Sequence, residues 1–290
     1  MPSGARRGAF AAACAFSTAA AAVRRPTFPQ LLRLKLPGAL SAWEAAGFSR
    51  NNDSDDVALH VGGIDIGVGD TLALPSWGWR DGPKARDLPD ASRDCPAYWE
   101  DLRSEEWTEL SIAGIQTAID DVGAEILEDH LEERAGVSTA HPNGADGLYS
   151  ICVTTPDLGA TVRALESAGV ALRRMRKPGD PASQLSTGLQ MAFFKFGVPD
   201  GQDVILELIA PGSDGTPLPG GFPIGTQAQI AGLVVSVPDL GQVAALLGPE
   251  RLSTERAAVQ GRGRRIAALK HEAVGLPLPL AFMTPSTSTS

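Results

Sequence analysis

Two stretches of this 290-residue chain share one frame: ICVTTPDLGATVRAL from Ile151, and LVVSVPDLGQVAAL from Leu233. Each is an apolar run that meets Pro-Asp-Leu-Gly and then changes to an Ala/Val/Leu pattern. The apolar run has the length and composition of a buried strand. The Asp is placed to start a helix, where the backbone N–H groups favour a short acceptor side chain. After the first stretch come three further strand patterns: VALRRMRK, QMAFFKFG and VILELIAP. After the second come ERLSTERAAV, RRIAALK and PLPLAFMTP. Both units therefore read β-α-β-β-β. A repeat of roughly 80 residues is a duplicated module rather than a solenoid. One such module cannot bury its own sheet. Two side by side predict an α+β fold in which paired βαβββ modules form a curved mixed sheet with a concave cleft.

The boundaries follow from turn-rich composition. Residues 136–211 form the first clear module, 212–230 a Gly/Pro-rich linker, 231–285 the second module, and 286–290 a Ser/Thr tail. Residues 30–135 read as a degenerate N-terminal βαβββ-like module. It has a strand at LLRLKL, a short helix in PGALSAWEAAGF, and strands VALHV and IDIGV around Gly62-Gly63. The polar run from Ser76 to Glu106 reads as a long loop, WTELSIAGI as a strand, and the acidic stretch from Ile115 as a helix.

Composition narrows the function classes. The net charge of −9 argues against nucleic acid, whose binders present a basic face. Cys14, Cys95 and Cys152 lack CxxC spacing and cannot make a disulfide framework. No P-loop, dinucleotide fingerprint or nucleophile elbow is present. Residues 1–29 carry Arg6, Arg7, Arg24 and Arg25, and no acidic residue precedes Glu44. That is the composition of a transit presequence, addressing the protein to a plastid or mitochondrion; a secretory signal is the alternative. Loss of these four arginines would move the net charge to about −13. The run Gly8 to Val23 is shorter than the about 20 apolar residues that a membrane span needs. No membrane partner is expected, and a homodimer is compatible with the chain.

Several stretches, in order, resemble the vicinal oxygen chelate superfamily of glyoxalase-like, bleomycin-resistance and dioxygenase proteins. They are AWEAAGF at Ala42, HPNGADGL at His141, TPDLGATVRALESAGVALRRMR at Thr155, QMAFFKFG at Gln190, VILELIAP at Val204, AVQGRGRRIAAL at Ala258 and LPLAFM at Leu278. The resemblance implies a metal site in the cleft, with ligands from the first and last strand of each module. Those positions fall on Ser150, Glu207, Gly232 and Ala281. Glu207 alone is a ligand-type residue, and one carboxylate does not make a tight metal site. No cofactor is therefore expected, although His60, His141 and His271 leave a divalent metal with non-standard ligands open.

A carboxylate in an apolar strand is paired, desolvated or functional. Glu207 is thus a candidate catalytic acid or base, or the partner of a neighbouring arginine. His141 is a second catalytic candidate beside Asn143, although HPNG also reads as a turn. Gln260 and Arg264 in VQGRGRR, with Arg174, are candidates for holding an anionic group, or else belong to a solvated hairpin. Phe194 is a candidate cleft wall or core residue. The expected partner is a small polar or anionic metabolite, bound and converted by a lyase, isomerase or hydrolase step. A non-catalytic binding protein is the main alternative, and a scaffold with a filled cleft is another.

Overall fold

The computed structural model describes residues 30–51, 59–69, 76–80, 107–120, 140–176, 189–198, 203–212, 218, 222, 224–258 and 263–286. Residues 1–29, most of the polar run, residues 121–139 and Gln260 lie outside the described residues.

Eight strands form the sheet that carries the duplicated stretches. The first module contributes β7 (Gly147–Thr154), α2 (Leu158–Ser167), β8 (Leu172–Arg176), β9 (Gln190–Phe196) and β10 (Val204–Ala210). The second contributes β11 (Gln229–Ser236), α3 (Leu240–Leu247), β12 (Arg256–Ala257), β13 (Arg265–Ala268), α4 (His271–Val274) and β14 (Leu280–Met283). The sheet order is β12-β13-β14-β11-β7-β10-β9-β8. In each module the first strand lies parallel to the last: β7 with β10, and β11 with β14. The modules meet where β7 and β11 pair antiparallel, with Ile151 opposite Leu233. Those residues are equivalent in the two Pro-Asp-Leu-Gly frames, so a local pseudo-twofold axis passes through this pair.

The N-terminal region forms a separate six-stranded sheet, ordered β2-β3-β1-β4-β6-β5. Its elements are β1 (Gln30–Pro37), α1 (Leu40–Ala45), β2 (Leu59–Val61), β3 (Ile64–Gly69), β4 (Ser76–Arg80), β5 (Trp107–Ile112) and β6 (Ile115–Asp120). Here too two parallel pairs, β1/β3 and β4/β6, meet at an antiparallel seam, β1/β4. Two local expectations change. Ser76–Arg80 begins no loop but forms a strand, whose Trp77 is buried and donates from Nε1 to Thr117 Oγ1 at 2.9 Å. Ile115–Asp120 is a strand rather than a helix start. It returns from β5 through Ala113 (φ 55°) and Gly114 (φ 92°), a left-handed pair that closes a hairpin.

The helices show why Pro-Asp-Leu-Gly recurs. Asp157 accepts from Ala160 N at 2.8 Å, and Asp239 accepts from Gly241 N at 2.7 Å. Each caps its helix, and the Leu that follows (Leu158, Leu240) is the first buried residue of the helix. In α2, Leu158, Val162 and Leu165 recur at helical spacing and pack against the sheet. Burying a side chain of this size is worth about 1.5–3 kcal/mol. One continuous core joins both sheets, running from Leu31 on β1 to Phe282 on β14. All eight residues of β7 are buried, as expected of a strand covered on both faces.

Candidate functional site

One face of the eight-stranded sheet packs on the helices. The other curls around a cavity of about 350 Å³. The register of the central strands decides which side chains meet there. Glu207 on β10 lies opposite Cys152 on β7, and Ala281 on β14 lies opposite Val234 on β11. All four line the cavity. Cys152 and Val234 are equivalent in the duplicated frame, so Glu207 and Ala281 are equivalent as well. The cavity wall is mostly apolar, with Leu189, Met191, Phe193, Ile209, Phe222 and Ile266 among its residues. Arg176, Arg256 and His271 are its basic lining groups.

This wall sets the electrostatics. Glu207 is 9% exposed. Burial pushes its carboxyl above the usual carboxylate range, and the Ser150 hydroxyl and the Arg176 guanidinium pull it back only in part. Ser150 Oγ is itself buried, and among the described residues it has no partner in ordinary hydrogen-bond geometry. Burial, with the Glu207 charge next, pushes the Cys152 thiol well up, which keeps it protonated and a poor nucleophile. Arg176 lies over the Phe193 ring at 5.3 Å, and its Nε is buried without an acceptor among the described residues. A protonatable carboxyl beside a guanidinium in an apolar wall can bind an anion and exchange a proton with it.

Other structures share this architecture. The fold aligns with BphC, a halotolerant catechol dioxygenase, over 89% of this chain and 87% of that one, at 13% identity and a TM-score of 0.51. It also aligns with a xylose isomerase-like TIM barrel/4-hydroxyphenylpyruvate dioxygenase fusion protein over 91% of this chain and 49% of that one, at 10% identity and a TM-score of 0.50. This chain shares the fold of these two structures. A methylmalonyl-CoA epimerase from Mycobacterium tuberculosis matches about half of it, 49% of this chain and 89% of that one, at 20% identity and a TM-score of 0.35. No protein-family model matches the chain, and no curated protein does.

The metal positions of the vicinal oxygen chelate frame can be tested residue by residue. The donor set is one carboxylate (Glu207), one hydroxyl (Ser150), a glycine and an alanine. A side chain at Gly232 would begin 3.0 Å from the Phe222 ring and 3.0 Å from the Pro279 carbonyl. Phe222 thus takes the space that a ligand from that strand would need. Among the described residues no cluster of three His, Cys, Asp or Glu side chains is placed to hold an ion. The four positions do not fit a four-ligand metal site.

The remaining candidates scatter. His141 is 5% exposed and does not line the cavity. Its Nδ1 accepts from Ser49 N at 3.0 Å and its Nε2 donates to the His60 carbonyl at 2.8 Å. Both ring nitrogens are engaged, and burial lowers its pKa, so the ring is a neutral clamp between the N-terminal sheet and the approach to β7. Asn143 is fully buried, donating to Ala46 O at 3.0 Å and accepting from Ala145 N at 2.9 Å. Phe194 is a core residue, and its neighbour Phe193 lines the cavity. Arg174 is exposed, and Arg176, two residues on, takes the cavity face. Arg264 stacks over Tyr149 at 5.2 Å, outside the cavity lining. Strand alternation could have separated Phe193 from Phe194. A register shift between Leu172 and Arg174 hid the phase of the arginines in LRRMR.

Proposed function

We propose that this protein binds a small polar or anionic metabolite in the cavity of its C-terminal sheet, and that Glu207 exchanges a proton with it. The observation that carries this reading is that Glu207 and Arg176 line the same mostly apolar wall, close enough for the guanidinium to act on the carboxyl. An anion entering there meets a half-buried guanidinium held over an aromatic ring. The neighbouring carboxyl, its proton held more tightly by burial, can give a proton to the bound anion or take one from it. Lyase, isomerase and hydrolase steps all need such a group. No step in this reading runs through a metal.

The test uses the full chain incubated with a metabolite extract and then repurified. Wild-type protein is expected to retain a small organic acid, identified by mass spectrometry. Ala281→Phe, which fills the cavity, should lose it. Glu207→Gln should keep the fold and lose turnover of the identified compound. Retention by Ala281→Phe would place the ligand elsewhere and sink the reading. The aromatic wall of Phe193 and Phe222 favours a second reading, a non-catalytic binder. In that case Glu207→Gln would change affinity, and wild-type protein would return the ligand unchanged.

A further inference from the structure

The pseudo-twofold that relates the two modules also relates two cavity arginines. In the first module Arg176 lies opposite Met191, Met191 opposite Ile209, and Ile209 opposite Thr154. In the second module Arg256 lies opposite Ile266, Ile266 opposite Met283, and Met283 opposite Ser236. Thr154 and Ser236 hold the same place in the duplicated frame. Arg176 and Arg256 are therefore equivalent residues, one from the second strand of each module.

They occupy opposite edge strands of the eight-stranded sheet. On a flat sheet, seven strand spacings of about 4.8 Å would hold them roughly 34 Å apart. Both nevertheless line one cavity, because the sheet curls. Between them the wall is mostly apolar, and Glu207 is the one carboxylate among its described lining residues. A protein with net charge −9 thus gathers two guanidinium groups and one buried carboxyl around a single cleft. Arg256 makes no ion pair among the described residues, since its neighbour Glu255 is taken by Arg265 at 2.8 Å.

We propose that the ligand is a small organic dianion: one acidic group on Arg176, the other on Arg256, and an apolar body between them. This rests on the reading that the cavity is the ligand site. The frame that binds is symmetric, but the chemistry is one-sided. Glu207 is matched across the axis by Ala281, and Phe193 by Ala268, so the carboxyl and the aromatic ring stand at the Arg176 end.

The experiment is calorimetric titration of the full chain at low ionic strength with the unbranched dicarboxylates from malonate to suberate, and with monocarboxylates of matched length. Two fixed anchors should give an affinity maximum at one chain length. Arg176→Met and Arg256→Met should each weaken the best diacid about tenfold or more, with Arg→Lys variants recovering part of the loss. The matched monocarboxylate should bind more weakly and respond to one of the two Arg→Met variants. Circular dichroism confirms that each variant is folded. Affinity that rises steadily with chain length, equal binding of mono- and diacids, or indifference to Arg256→Met would overturn the dianion. So would a failure of every diacid to bind. In each of those cases loss of the extracted acid by Ala281→Phe would still uphold the cavity reading, so the two ideas fail separately.

Discussion

Glu207 and His141 are both buried ionisable side chains, and their surroundings give them opposite linkage to pH. The Glu207 carboxyl is raised above its ordinary 4.5, chiefly by burial. Between 4.5 and that raised value the folded chain holds a proton that the unfolded chain has lost, so stability falls as pH rises through the window. Glu207→Gln cannot ionise. Denaturant unfolding should show it matching wild type near pH 4 and gaining on it as pH rises towards 8. A constant difference across that range would mean that Glu207 is not held protonated. His141 is lowered below its ordinary 6.5, again chiefly by burial. Its contribution is present above 6.5 and is lost as pH falls through the lowered value. His141→Ala leaves the Ser49 N–H and the His60 carbonyl without their partner, which costs about 1–3 kcal/mol. Ligand binding should survive that change, since the ring lies away from the cavity lining. Sequence marked both residues as unusual, because a carboxylate in an apolar strand and a His before Pro-Asn-Gly are visible in one dimension. It could not separate their roles. That depends on what each ring or carboxyl touches across 81 residues for His141, and across a strand pair for Glu207.

At the scale of elements, the Pro-Asp-Leu-Gly turns are local devices and were legible as such. Asp157→Ala or Asp239→Ala removes one cap acceptor and should cost about 0.5–2 kcal/mol in thermal or chemical unfolding. Equal stability of the variants would mean that solvent replaces the cap at no cost. The strand Ile115–Asp120 shows the opposite case. IQTAID alternates well enough for a strand, but the acidic residues after it favour a helix, and only pairing with β4 and β5 decides. Gly232 is a third kind of case. In sequence it marks a missing metal ligand. In the structure it marks where the Phe222 ring enters. Gly232→Ala should cost about 1–3 kcal/mol by overpacking, and adding Phe222→Ala should recover part of that. If Phe222→Ala recovers nothing, the Pro279 carbonyl rather than the ring sets the cost.

For the whole molecule, two sheets share one core, and the C-terminal one carries the arginine pair. Metal analysis of purified full chain should find well under one divalent ion per molecule; one tightly held ion lost in Glu207→Gln would overturn the assignment of the four frame positions. A fusion of residues 1–40 to a fluorescent protein should enter a plastid or mitochondrion, and a diffuse cytosolic signal would remove the transit proposal. No helix among the described residues is long and apolar enough to cross a membrane. By itself the sequence determined the duplicated module, its helix caps, its strand order and the loss of the usual ligands, because these rest on local periodicity and on one repeat aligned with itself. Tertiary structure alone decided which arginine faces the cavity, that Phe222 fills the Gly232 position, and that the two edge strands reach one space. Those depend on register and sheet curvature, which many weak long-range contacts fix together and no short stretch of chain encodes.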